Sequence, residues 1–222
     1  MFADCSSGFY RGGPVFQSAL AGIDIALWDM KARKLRVPIW QLLGGKVRDK
    51  VSVYAWIGGD RPADVETAAK ARLAQGFKAV KMNATEDVGW LDSPRALESA
   101  VERLKTVRSL GMDAALDFHG RIHKPMAKQL AKALEPYGPL FIEEPLLSEH
   151  PEGIKQISEL TSCPIALGER LYSRWDFKRF LEGEDTNSVI DKRRDEADSY
   201  LWQTIQWMCS SQTSPIAEAF LR

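Results

Sequence analysis

The sequence predicts an α/β protein that forms part of a (β/α)8 TIM-type barrel, with about five or six of the eight units. Short apolar runs alternate with amphipathic segments at a repeat of roughly 26 to 30 residues. Three acids, Asp117, Glu143 and Glu169, each follow one of these runs and stand 26 residues apart. Alternating strands and helices indicate right-handed βαβ units and a parallel sheet.

A doubly wound open sheet would fit the same alternation, and the three acids favour the barrel over it. In a barrel the carboxyl ends of successive strands meet at one rim, where active residues lie. In an open twisted sheet the acids would fan apart. We identify five strands, and residues 187–190 could begin a sixth.

The predicted elements follow one another in regular order along the chain. A first helix covers residues 15–34, with one apolar face made of Phe16, Leu20, Ile23, Leu27 and Met30. Strands are predicted at residues 51–57, 77–82, 114–118, 140–142 and 165–167. Helices between the strands start near Pro62, Ser93 and Pro125, and a fourth carries Ile154, Ile157 and Leu160.

The composition argues against several classes of protein. Acidic and basic residues number 30 each, so there is no net field to attract nucleic acid or a membrane surface. The cysteines, Cys5, Cys163 and Cys209, have no metal-binding or redox spacing. Neither a secretory signal nor a run of about 20 apolar residues is evident. We therefore expect a cytoplasmic protein that binds neither nucleic acid nor membranes.

The acids at the strand ends predict a metal site. Three carboxylates without a thiolate favour a hard cation, and Mg²⁺ above all. The alternative is that each acid is an ordinary surface residue at the end of a strand. Lys81 and Asn83, two residues apart at the end of the second strand, would face the same rim and could hold a substrate carboxylate. Surface exposure and a turn-forming Asn remain the alternative for that pair.

The stretch Asp117-Phe118-His119 carries the second chemical signal. Residues two apart in a strand point to the same face, so Asp117 and His119 would share one space. An imidazole there suits general acid or base catalysis, or else serves as a hydrogen-bonded structural group. Zinc binding by His119 and His123 is disfavoured because a strand end and Gly120 intervene. Arg121, His123 and Lys124 form a basic loop suited to an anionic substrate.

These residues resemble the mandelate racemase and muconate lactonizing branch of the enolase superfamily, and most closely its D-galactonate dehydratase group. The resemblance covers about residues 8–181. It rests on RGGP at 11–14, GIDIALWD at 22–29, LLGGKVRD at 42–49, WIGGDRP at 56–62, KMN at 81–83, WLDSP at 90–94, and on LDFHGR, FIEEPLLSEH and ALGERLYSRWDF.

The resemblance implies roles for individual residues. Asp117, Glu143 and Glu169 look like three Mg²⁺ ligands, and His119 looks like the acid that helps a 3-hydroxyl leave. Asn83 stands where many members of the branch have a catalytic lysine, with Lys81 before it. The implied reaction is the Mg²⁺-dependent dehydration of a sugar acid, such as D-galactonate, to a 2-keto-3-deoxy acid.

The resemblance also implies a domain organisation. Residues 1–49 would be a remnant of an N-terminal capping domain and a connecting helix, 50–182 a partial enolase-type barrel, and 183–222 a divergent tail. No histidine follows His150, although the family has a histidine base on its later strands. We therefore expect truncation at both ends and impaired turnover. The alternatives are a non-catalytic barrel fragment that binds metal or a homologous subunit, or another sugar-acid dehydratase of the branch. The sequence does not decide whether the protein forms a homo-oligomer.

Overall fold

The computed structural model describes residues 13–46, 49–50, 52–58, 62–85, 88, 92–172, 176 and 179–180. These residues belong to two compact units. One unit holds the described residues up to 52 together with 168–172 and 176, and the other holds 53–167 together with 179–180. The predicted sixth strand at 187–190 and the tail at 183–222 lie outside the described residues. None of the described helices is long and apolar enough to span a membrane.

In the first unit, the long predicted helix is confirmed. It is α1 (Pro14–Leu35), and the single turn α2 (Ile39–Leu42) follows it. Helix α1 ends at Arg36, whose left-handed conformation (φ 56°) lets its N–H reach the carbonyls of the last turn. Its predicted apolar face is not a core, because Ile23, Leu27 and Met30 are all exposed. Periodic apolar residues predict a helix, but burial also requires a surface that covers them.

The second unit is built on a parallel sheet, as the strand–helix alternation predicts. Its described strands are β1 (Ala55–Trp56), β2 (Ala79–Asn83), β3 (Asp113–Asp117), β4 (Ile142–Glu143) and β5 (Ile165–Ala166). Their spatial order is the chain order, and every adjacent pair is parallel. Within the described part of the chain the row does not close, since β1 and β5 lie at its two ends. This arrangement is an open section of a barrel.

Four helices connect the strands, each beginning at or close to a proline. They are α3 (Pro62–Ala74), α4 (Glu98–Ser109), α5 (Lys124–Leu134) and α6 (Pro151–Leu160). Proline is favoured in the first turn of a helix, where its missing N–H leaves no hydrogen bond unmade. A 3₁₀ turn, Pro94–Leu97, leads into α4, and a second one, Glu135–Tyr137, follows α5. Helix α3 packs on α4 and α5 packs on α6.

The core of this unit surrounds its central strand. Residues 114–117 of β3 are all buried, so side chains on both faces of the strand are covered. Burial on both faces is typical of a parallel strand between neighbours and helices. The edge strand β1 is much shorter than the predicted 51–57, because its described ladder with β2 pairs Ala55 and Trp56 and then continues only through the Ile57 N–H, which donates to the Lys81 carbonyl at 2.9 Å. The strands therefore differ most from the prediction at the edge of the sheet.

A tight turn follows β3 and places the chain against the segment after β4. Gly120 has φ 63° and donates its N–H to the Glu144 carbonyl at 2.8 Å. A Cβ at this position would lie 3.1 Å from the Leu147 nitrogen and 3.2 Å from its Cα. Those contacts are with backbone, which cannot rotate away. Glycine is needed here for its conformation and for its lack of a side chain.

The substitution Gly120→Ala should therefore destabilise the protein in two ways. The left-handed conformation costs about 1–2 kcal/mol for a residue with a Cβ. Crowding against Leu147 adds roughly 1–3 kcal/mol. The measurement is the free energy of unfolding in denaturant.

The matched control is Gly138→Ala, because Gly138 has φ 57° and a Cβ added there would meet nothing within 4 Å. The loss of stability in this variant should come only from the left-handed conformation. Equal losses of stability in the two variants would contradict the close approach of Leu147.

Candidate functional site

Lys81, Asp117 and Glu143 come together at the carboxyl ends of three adjacent strands. The register of the sheet pairs Asn83 with Asp117 and Asp117 with Glu143, so the two acids are cross-strand neighbours. The Lys81 Nζ donates to Asp117 Oδ2 at 2.9 Å and to Glu143 Oε2 at 2.7 Å. One ammonium group thus bridges two of the acids that the sequence analysis assigned to a metal.

The three side chains of this bridge are largely buried, so water screens their charges poorly. The side chains of Asp117 and Glu143 are 1% and 4% exposed, and that of Lys81 is 11% exposed. Burial alone would lower the pKa of Lys81, but the charges and hydrogen bonds of Asp117 and Glu143 outweigh it. The net effect holds the lysine pKa well above its ordinary value of 10.5. The two carboxylates therefore favour the ammonium form of Lys81.

His119 reaches the same place through a turn and not along a strand. Strand β3 ends at Asp117, and His119 has φ 53°, so the two residues do not alternate as the sequence analysis assumed. The Asp117 Oδ1 accepts the His119 backbone N–H at 2.9 Å and lies 3.4 Å from the imidazole Nδ1. The Asp117 side chain thus stabilises the turn that presents the imidazole, which is 23% exposed.

Backbone hydrogen bonds tie the strand ends together. The Ala84 N–H donates to the Asp117 carbonyl at 2.8 Å, and the Phe118 N–H donates to the Glu143 carbonyl at 2.8 Å. The Glu144 N–H donates to the Ala166 carbonyl at 3.0 Å. Each residue just past a strand end therefore continues the pairing with the next strand. The two acids are held by the sheet itself and not by a mobile loop.

Two further residues support the site and were missed in the sequence analysis. The first is Glu144, which is fully buried, has φ 43° and accepts a hydrogen bond from the Ser148 Oγ at 2.9 Å. Its carbonyl receives the Gly120 N–H, so it links the turns after β3 and β4. The signal for it was the Glu-Glu-Pro sequence, in which only Glu143 was considered.

The second is Arg103, which is 1% exposed. Its guanidinium donates to the carbonyls of Asn83 at 3.0 Å and Ala84 at 2.7 Å, just where β2 ends. The available signal was its position on α4, three residues after Ala100 and four before Val107, on the apolar face. A cation on a buried helix face needs buried acceptors.

The other predicted site residues occupy different settings. Asn83 is the last residue of β2 and is half-buried, while Arg121 is exposed. His123 is half-buried and directly precedes α5. Glu169 is exposed and lies in a turn of the other unit, closed by the Leu171 N–H donating to the Gly168 carbonyl at 3.0 Å. The roles assigned to these four residues, including the part of Glu169 in a metal site, stay predictions.

Arg103→Met should destabilise the protein by about 2–3 kcal/mol, because buried carbonyls at the end of β2 would lose charged donors. Arg108→Met is the matched control on the same helix. Arg108 forms an ion pair with Asp113 at the surface, and exposed ion pairs contribute at most about 1 kcal/mol. Denaturant unfolding of both variants measures the difference. Equal losses would show that the guanidinium of Arg103 does not support the strand end.

Comparison with known families covers most of the chain. Residues 63–189 match the family described as enolase C-terminal domain-like. Residues 3–44 match the mandelate racemase / muconate lactonizing enzyme N-terminal domain. The first match spans the strand ends that carry Lys81, Asp117 and Glu143.

Curated relatives are strongly similar in sequence. A D-galactonate dehydratase of Ralstonia pickettii is 54% identical over 179 residues, which is 79% of this chain and 47% of the relative. A D-galactonate dehydratase of Ralstonia nicotianae is 53% identical over 178 residues, again 79% of this chain and 47% of the relative. The chain thus spans about half the length of these relatives.

Solved structures agree in fold. A mandelate racemase/muconate lactonizing enzyme from Jannaschia sp. superposes with a TM-score of 0.73 at 30% identity, over 80% of this chain and 51% of that one. An enolase from Pantoea ananatis, solved with bound D-gluconate and Mg, gives 0.69 at 27% identity, over 88% of this chain and 58% of that one. This chain belongs to the mandelate racemase / muconate lactonizing enzyme family of the enolase superfamily.

Proposed function

We propose that this chain carries the cation-binding and acid-bearing strand ends of a Mg²⁺-dependent sugar-acid dehydratase, with D-galactonate as substrate. The geometry that supports this proposal is the pair of buried carboxylates, Asp117 and Glu143, beside the imidazole of His119. The D-galactonate dehydratases of Ralstonia, and the enolase with bound D-gluconate and Mg, support the substrate class and the metal.

The donor groups suit Mg²⁺. Carboxylate oxygens are the ligands that this ion prefers, and it takes few of them, leaving its other positions to water or substrate. The Lys81 ammonium between Asp117 and Glu143 marks a position where these two acids already stabilise positive charge, and a metal ion could occupy that position. We propose Glu169 as the third ligand on its sequence position alone.

The proposed reaction removes water from the sugar acid. The proton at C2 goes to a base, the bond from C3 to its hydroxyl oxygen breaks, and the enol product tautomerises to a 2-keto-3-deoxy acid. Mg²⁺ bound by the carboxylates would stabilise the negative charge that develops on the substrate carboxylate as the C2 proton leaves. We leave the base unassigned.

His119 is the proposed general acid. Its Nδ1 faces Asp117, and the turn at Asp117–Gly120 fixes the ring at the end of β3. From there it would donate a proton to the departing 3-hydroxyl group, so that water and not hydroxide leaves.

The basic and amide groups around the strand ends are proposed to bind the substrate. Asn83 shares its strand with Lys81, two residues apart, so both side chains project from the same face of β2. Arg121 and His123 follow the His119 turn directly, and Arg121 adds a positive charge. Anionic sugar acids would be attracted by this set of groups.

Turnover of D-galactonate in the presence of Mg²⁺ tests the proposed activity. We expect a 2-keto-3-deoxy acid as the product, and a decrease of the order of 10²–10³-fold or more in Asp117→Ala, because charge stabilisation in the transition state would be lost. Asp113→Ala is the matched control, since Asp113 lies at the other end of β3 and is exposed. It should keep the wild-type rate.

Absence of turnover above the Asp117→Ala background would contradict the proposed dehydratase activity of this chain. If Mg²⁺ still binds in that case, the alternative of a non-catalytic metal-binding portion of a barrel is supported instead.

Calorimetric titration with Mg²⁺ tests the ligand assignment separately. Glu143→Ala should weaken binding by at least about tenfold, because even residues that only orient a metal ligand contribute 10–100-fold to affinity. Glu152→Ala, an exposed acid in the first turn of α6, should leave the affinity unchanged. Equal affinity of Glu143→Ala and wild type would refute Glu143 as a ligand.

A further inference from the structure

A buried lysine touches two of the proposed metal ligands. The Nζ of Lys81 lies at hydrogen-bond distance from an oxygen of Asp117 and from an oxygen of Glu143. It therefore satisfies both acids without a metal ion. Two adjacent buried carboxylates that lacked such a partner would repel each other and would be costly to desolvate.

We propose that Lys81 is an internal counter-ion that competes with Mg²⁺ for Asp117 and Glu143. This inference rests on the proposed Mg²⁺ dependence of the site. A divalent cation that binds the oxygens contacted by Lys81 would weaken or break the hydrogen bonds of the ammonium to them. Lys81 thereby keeps the metal-free site ordered and lowers its affinity for Mg²⁺.

Mg²⁺ and an ammonium group approach carboxylate oxygens to different distances. Mg²⁺ sits about 2.0–2.1 Å from its oxygen ligands, closer than the 2.7 and 2.9 Å of the ammonium contacts. A divalent ion on the same two oxygens would meet the lysine charge at short range and in a buried setting, where water screens repulsion poorly. The two cations would therefore repel each other and compete for these oxygens.

The flexibility of the lysine side chain also favours competition. An ammonium on a four-carbon stem is a mobile point charge, whereas a guanidinium binds a carboxylate through a rigid fork. Lys81 also keeps a small exposed fraction, 11% of its side chain.

The test compares Mg²⁺ binding to wild type and Lys81→Met by calorimetry, with MgCl2 alone as the titrant. Lys81→Met should bind Mg²⁺ at least about tenfold more tightly, because a positive charge a few ångströms from the ion is removed. The metal-free variant should melt at a lower temperature than wild type, and Mg²⁺ should raise its Tm by more. Lys78→Met is the matched control, because Lys78 is exposed just before β2, and it should match wild type in both measurements.

Lys81→Arg keeps the charge and covers the case in which Lys81→Met fails to fold. Its fork should hold the carboxylates more firmly, so Mg²⁺ should bind several-fold more weakly than to wild type. Equal or weaker Mg²⁺ binding by a folded Lys81→Met, or equal or tighter binding by Lys81→Arg, overturns the inference while leaving the proposed metal dependence intact. If neither wild type nor any variant binds Mg²⁺, the metal dependence fails as well.

Discussion

Two carboxylates buried side by side must share a positive charge, and this requirement shapes the strand ends of the protein. Parallel register makes Asp117 and Glu143 direct neighbours, and each is almost fully buried. The cost of burying one ion is several kcal/mol even after relaxation, so an uncompensated pair would favour unfolding. Lys81 compensates both acids from the adjacent strand. The same arrangement that requires Lys81 is the one proposed to bind Mg²⁺.

The backbone around the pair explains why the acids stay in place. Parallel strands carry evenly spaced hydrogen bonds, and here the pairing continues one residue past each strand end. Left-handed residues, His119, Gly120 and Glu144, then turn the chain away from the sheet. Such conformations cost of order 1–3 kcal/mol for residues other than glycine. The hydrogen bonds from the His119 N–H to Asp117 and from the Gly120 N–H to the Glu144 carbonyl offset part of that cost.

The sequence was sufficient to predict the order of the strands, because apolar runs and helix starts recur with a regular period. It also located Asp117 and Glu143 at strand ends, since each acid follows an apolar run. It did not predict the contact between Lys81 and these acids. A two-residue spacing tells which face of a strand a side chain occupies, but the partner depends on the register with the next strands.

Other features depend on three-dimensional contacts that a periodic pattern does not contain. The exposed apolar face of α1 has the spacing of a buried helix, and nothing in that spacing tells whether a covering surface exists. Arg103 and Glu144 are polar residues whose burial depends on acceptors and donors contributed by other segments. Burial of a charged side chain is rare enough that sequence reasoning assigns it to the surface by default.

The interacting groups lie on adjacent parts of the sheet. Lys81, Asp117, His119 and Glu143 come from β2 to β4 and the turn after β3, and three hydrogen bonds join them within residues 81–143. Successive βα units therefore bring the carboxylate pair and its counter-ion together. Because Lys81 already pairs with both acids, this part of the site is organised before any ligand arrives. Under the proposed competition, Mg²⁺ would have to displace Lys81 from oxygens that the ammonium already contacts. The order of the carboxylate pair would then be obtained at the expense of affinity for the metal.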